Sequence, residues 1–187
     1  MPVEAGGLQY LIQDELNASE RLLWSAQPRP SRLARKSLPL VLFGIPWTAF
    51  ALFWTAGASG FKMPDFHHVE NLFPLFGLPF ILIGLGLLTS PFWIMRKAKS
   101  TVYGLTTERI IIISPKLFGG INIRSLPPDQ LTDINRVQLA DGSGDVILHR
   151  DITPNSKGGN NVSEVGFFGI QNAKEVEQLV LALAAKK

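Results

Sequence analysis

Ser37 to Phe61, SLPLVLFGIPWTAFALFWTAGASGF, and Asn71 to Met95, NLFPLFGLPFILIGLGLLTSPFWIM, decide how this chain is read, because neither stretch carries a charge. Each is about 25 residues long and, as a helix, would reach roughly 37 Å. A bilayer core of ~30 Å needs only ~20 apolar residues, so each can span with tilt. A soluble core helix shows polar positions at helical period, and these stretches do not. The expectation is a transmembrane hairpin over residues 37–95, with spans at about 38–58 and 72–95. Pro46 in the first span, and Pro79 and Pro91 in the second, each remove one helical N–H, so a kink is expected at each. Gly77, Gly84 and Gly86 offer flat faces for close approach of the first helix. Neither span holds an Asp, Glu, Lys, Arg or His, which disfavours an ion or proton path.

The flanks orient the hairpin. The net charge is only +3, but Arg29, Arg32, Arg35 and Lys36 precede the first span and Arg96, Lys97 and Lys99 follow the second. The loop between them, Lys62 to Glu70, has one lysine against Asp65 and Glu70. Lys and Arg are retained on the cytoplasmic side, so a multi-pass protein with both ends cytoplasmic is expected. Ala56-Gly57-Ala58 imitates a signal-peptide cleavage site, but the apolar run is far longer than an h-region. The loop residues Asp65, His67, His68 and Glu70 have ligand chemistry without a recognised zinc spacing, so a solvated turn is expected there and no metal site. The chain has no cysteine, which suits a cytoplasmic domain.

Residues 1–36 read as a cytoplasmic N-terminal segment. Leu8, Leu11, Ile12 and Leu16 give it a short amphipathic helix, and Asn17 to Glu20 form a capping turn. Residues 96–187 form the second domain. Thr101 to Leu105, Arg109 to Ser114, Ile121 to Leu126, Ile134 to Leu139, Val146 to Leu148 and Glu164 to Ile170 read as strands. Asp141-Gly142-Ser143-Gly144 is a hairpin turn, and Asn155 to Asn161 is a flexible polar stretch. Asn172 caps a final helix whose Val176, Leu179, Val180 and Leu183 form one apolar stripe. A small antiparallel barrel or sandwich closed by that helix follows.

Tyr103-Gly104-Leu105-Thr106-Thr107-Glu108-Arg109-Ile110 resembles the Y-x-L-T-x-x-R-hydrophobic signature of the bacterial PH-like (pleckstrin-homology-like) membrane proteins. Glu20 to Pro28 is similar to the E-x-hydrophobic-L-W-x-G-x-P element that precedes their spans, with Ala26 where glycine is usual. Asp141 to Asp145 and Gly166 to Ile170 resemble later parts of the pattern, so the likeness covers most of residues 20–187. It implies a PH-like barrel on a membrane hairpin, in a bacterial inner membrane, serving as a binding or assembly module without a shared catalytic site.

Function follows as an expectation of the same kind. A non-enzymatic scaffold that binds a protein partner, or itself as a homo-oligomer, comes first. Its contacts would be edge strands and the outer face of the helix. Binding of anionic membrane lipids is the alternative, through Arg32, Arg35, Lys36, Arg96, Lys97 and Lys99, each cation being worth ~1 kcal/mol near an anionic leaflet. His149 with Asp151 reads as a strand pair, since nothing brings a nucleophile to them. Gly142-Ser143-Gly144 does not lie between a strand and a helix, so it is no phosphate loop. No dense basic stripe interleaved with aromatics points to nucleic acid. No catalytic residue, cofactor or small-molecule substrate is expected.

Overall fold

The computed structural model describes residues 8–61, 75–116, 119–155 and 158–186. They fall into two compact units. One joins the N-terminal residues through Pro30 to the residues from Arg96 onward, and the other runs from Ser31 to Met95.

The first unit holds two antiparallel sheets. β1 (Leu22–Ala26), β2 (Val102–Thr106), β3 (Ile110–Pro115) and β4 (Ile121–Leu126) pair in that order, and β5 (Asn135–Gln138), β6 (Gly144–Pro154) and β7 (Asn160–Ile170) form the second sheet. No ladder joins the two among the described residues, so strand pairing does not close the expected barrel. The six strands read after residue 96 are present. The seventh, β1, belongs to the N-terminal segment, and it pairs with β2 through Ala26 opposite Tyr103. Residues 27–101 are therefore an insertion between two neighbouring strands. β6 and β7 run longer than expected, because Arg150 to Pro154 pair with Glu164 to Asn160 out to the turn.

The run Ile110-Ile111-Ile112-Ile113 lacks alternation because both faces of its sheet are covered. Ile110, with Tyr103, Leu105 and Leu126, faces a core completed by Val146, Phe167, Val176 and Val180. Ile111 and Ile113, with Val102, face Ile12 of helix α1 (Gln9–Asp14). Gly104 lets α1 approach, since a Cβ there would lie 2.8 Å from Ile12 Cδ1. The terminal helix, α6 (Ala173–Ala184), buries Val176, Val180 and Leu183 while Leu179 packs at the margin. Asn172 does not cap it through its side chain. It takes a left-handed conformation (φ 47°) that Asn tolerates, and the Ala173 N–H donates to Gly142 O at 3.1 Å.

The second unit is a helical pair. α2 (Pro30–Arg35) leads into α3 (Leu38–Ala58), which is long and apolar enough to cross a membrane. α4 (Leu78–Leu88) and α5 (Ser90–Lys99) follow, the stretch Leu75–Leu88 making a 49° bend with α5, and would be a second such element only if taken as one. α3 runs through Pro46 as a single helix. Pro79 lies in the first turn of α4, and Pro91 is the second residue of α5, beside the 49° bend, where a kink was expected. A missing N–H costs little in a first turn. α3 and α4 pack antiparallel along small residues. A Cβ at Gly84 would lie 3.0 Å from Thr48 Cβ, and one at Gly44 would lie 2.9 Å from Leu87 Cβ. Gly77 meets Thr55 in the same seam, whereas Gly86 faces open space.

Candidate functional site

The residues carrying the two quoted motifs meet at one end of the four-stranded sheet. Glu20 is buried where the chain enters β1, and its carboxylate receives Arg109 Nε at 3.0 Å, Arg109 Nη2 at 3.1 Å and Thr106 Oγ1 at 2.6 Å. The Asn17 N–H donates to the same carboxylate at 3.0 Å, so the expected turn exists but leads into a strand. Arg109 also donates to Glu15 O at 2.6 Å and to Ser125 Oγ at 3.2 Å. Burial works to raise the Glu20 pKa, yet the hydrogen bonds from Arg109, Thr106 and Asn17 and the Arg109 charge outweigh it, and the net direction is downward. Ser19 Oγ to Glu108 at 2.9 Å and Lys186 Nζ to Thr107 O at 3.3 Å complete a clasp around the β2–β3 turn.

Tyr103 and Trp24 of the same motifs are core residues. Both rings lie 5.1 Å from that of Phe167, and the Phe168 N–H donates to Tyr103 Oη at 3.3 Å. Burial is the main cause pushing the Tyr103 phenol up to about 12.

At the opposite end of β2 the chain leaves the sheet. Gln27 Nε2 donates to Lys99 O at 3.3 Å, so the outgoing and returning segments lie side by side. Arg29 is held by its N–H to Gly169 O at 2.9 Å and by Asp141 at 4.0 Å. The six proposed lipid contacts divide between the units. Arg32, Arg35 and Lys36 belong to the helical pair, and Arg96, Lys97 and Lys99 to the sheet unit. All are exposed except Arg32, which is partly covered.

His149 and Asp151 lie two residues apart on β6, with His149 Nε2 3.4 Å from Asp151 and Thr132 Oγ1 3.2 Å from His149 Nδ1. This row of hydroxyl, imidazole and carboxylate has the order of a hydrolytic triad, but Arg124 of β4 takes both Asp151 oxygens at 2.7 and 2.9 Å. Those bonds hold the Asp151 carboxyl below its ordinary range and neutralise the charge that would polarise the imidazole. The grouping bridges the two sheets. No cluster of His, Cys, Asp or Glu fit to hold a metal occurs among the described residues. The loop residues Asp65, His67, His68 and Glu70 lie outside them.

The helical pair has an apolar groove of about 260 Å³ lined by Trp47, Trp54, Phe76 and Phe80 among others. Trp47 Nε1 donates to Phe80 O at 3.0 Å, leaving the groove a lining of rings. The Glu20–Arg109 pairing escapes sequence reasoning because 89 residues separate its partners; their places in the two quoted motifs mark each residue but not the pair. No protein-family profile, characterised protein or solved structure matches the chain.

Proposed function

We propose that the chain is a non-enzymatic, multi-pass inner-membrane protein of a bacterium, which presents a PH-like domain on the cytoplasmic side for protein interaction or assembly of a membrane complex. The observation that carries this reading is the pairing of β1 with β2 across the inserted helices. Ala26 and Tyr103 are neighbours in one sheet, so they lie on the same side of any bilayer. If α3 crosses, the chain between them must cross an even number of times, and α4 with α5 is the return path. The exposed faces of α3 favour a lipid surrounding, because Leu42, Phe50 and Phe53 are each 67–70% exposed; so much contiguous apolar surface is foreign to a water-facing helix. The flanking cations favour the cytoplasmic side for the sheet unit.

Four-stranded and three-stranded antiparallel sheets with one terminal helix support the PH-like assignment. Contacts for a protein partner are available at edge strand β5, where Val137 is 50% exposed and Leu139, just beyond it, 53%. A photoreactive side chain at Val137 or Leu139 should give a discrete protein adduct in intact membranes, and Val137→Asp should remove the adduct formed at 139. Absence of any adduct from either position would count against this surface. The lipid alternative is separated by neutralising Arg35, Lys36 and Lys97 together. Co-purified anionic lipid should stay unchanged, and a clear drop at unaltered topology would make headgroup binding the leading function.

A further inference from the structure

β5 is an edge strand, paired with β6 on one side only. The ladder fixes which of its backbone groups are used. Leu139 N–H donates to Ser143 O at 2.8 Å, so in this register Val137 and Asn135, two and four residues back, also bond to β6. Arg136 and Gln138 therefore turn their N–H and C=O groups away from β6. No backbone partner meets those groups among the described residues. The opposite edge, β7, differs near its end. There Gly169 O takes the Arg29 N–H at 2.9 Å, and the Phe168 N–H donates to Tyr103 Oη at 3.3 Å.

The side chains of β5 sort by the same alternation. Arg136 and Gln138 share the face of α6, where Arg136 Nε lies 3.3 Å from Glu177. Asn135, Val137 and Leu139 share the other face, with Val137 50% and Leu139 53% exposed. A strand added at this edge must bond to Arg136 and Gln138, and a second β5 can do so antiparallel in three registers. Centring on Arg136 sets Arg against Arg, which like-charge repulsion disfavours. Centring on Gln138 sets Arg136 against Ala140, beyond the end of the strand. Centring on Val137 sets Arg136 opposite Gln138 of the second copy, so both outward residues of each strand bond. It also sets Val137 opposite Val137 and Leu139 opposite Asn135, with no like charges facing. The Arg136 side chain supplies a second reason. Its Nη1 is buried without a hydrogen-bond partner among the described residues, and Gln138 of the second copy carries a carboxamide oxygen that can accept from it.

We propose that β5 pairs antiparallel with β5 of a second copy of this chain, centred on Val137, joining the two three-stranded sheets into one; the inference rests on the docking surface proposed above and names its occupant. The contact is isologous, so each bond occurs twice about the two-fold axis. So short an edge buries far less than the ~1,200 Å² of a stable interface, and the pairing is reversible and concentration-dependent.

The chain has no cysteine, so Val137→Cys, Leu139→Cys and Leu181→Cys each introduce a single thiol. Across the axis the Cα atoms at 137 would lie about 4.5 Å apart, within disulfide reach. Those at 139 would be displaced by four residues, roughly 13 Å, and Leu181, 49% exposed on α6, controls for chance collision. In the detergent-purified full chain under mild oxidant, Val137→Cys should form linked dimers several-fold faster than the other two, increasingly so at higher protein concentration. Adding Gln138→Pro removes an outward N–H without touching the β6 ladder, and should abolish that excess at an unchanged near-ultraviolet signal. Photoadducts formed at 137 in intact membranes should have twice the mass of the chain. Equal rates at the three thiols, or an excess that survives Gln138→Pro, overturn the second-copy inference. An adduct with a different protein and no excess at 137 overturns it while the docking surface stands. No adduct and no excess overturn both.

Discussion

Arg109 is the residue on which the N-terminal segment most depends. Its guanidinium holds Glu20, Glu15 O and Ser125 together. Removing it would leave the Glu20 carboxylate buried without its charge partner, at a cost of about 3 kcal/mol for Arg109→Ala. Arg109→Lys keeps the charge but loses the forked donors, and should recover only part of that loss. Denaturant melts of the detergent-purified chain, followed by the near-ultraviolet signal of Trp24 and Tyr103, would measure both. The clasp also predicts acid sensitivity. A carboxyl held below its ordinary value of 4.5 adds stability above that pH and loses it as the pH falls through the lowered value. Glu20→Gln should therefore lower stability at neutral pH and flatten its decline below pH ~4.5. Some slope should remain, since Asp151 is shifted in the same direction by Arg124. An unchanged slope would mean that Glu20 does not titrate as a clasped group. Little of this was legible beforehand. A resemblance marked Glu20, Thr106 and Arg109 as belonging to motifs, but pairing across 89 residues leaves no local pattern to read.

Elements with strong periodicity or clear turn chemistry were legible. β4 was expected at Ile121 to Leu126 and lies there, and Asp141 to Gly144 form the expected turn between β5 and β6. α6 follows its stripe, and the burial of Leu183 at 2% exposure makes it the sharper site than Leu179. Leu183→Asp should destabilise the sheet unit by several kcal/mol through an unpaired buried charge, and an unaltered melting midpoint would show that α6 does not close the core. β1 was not legible as a strand, because its partner β2 is remote and its five residues show no clean alternation. Of the three kinks expected at prolines, the one at Pro91 coincides with the 49° bend before α5, whereas α3 runs through Pro46 as one helix and Pro79 sits in the first turn of α4; hydropathy alone does not reveal where one helix ends inside an apolar stretch. The glycine expectation was right for Gly77 and Gly84 and wrong for Gly86, which meets nothing. Gly84→Val should therefore loosen the α3–α4 pair by about 1–3 kcal/mol through overpacking against Thr48, and Gly86→Val should not. Thermal unfolding of the two variants in one detergent would compare them.

On the proposed membrane reading, an apolar insertion between paired strands ties the fold of the sheet unit to the path of the chain. β1 can join β2 only if residues 27–101 return to the side from which they left, so a chain that inserted α3 without the return would forfeit its four-stranded sheet. The charge distribution carried this reading in the sequence, and strand pairing adds a reason independent of charge. The measurement that tests it most directly is thiol accessibility at two exposed positions of the sheet unit, one on each side of the insertion. Ala18→Cys and Ala185→Cys, each the only thiol in its variant, would be exposed to a membrane-impermeant reagent in intact cells and again after lysis. Both should be protected in intact cells and both should react after lysis. Reaction of one and protection of the other in intact cells would contradict the account, because the two positions would then lie on opposite sides of the membrane.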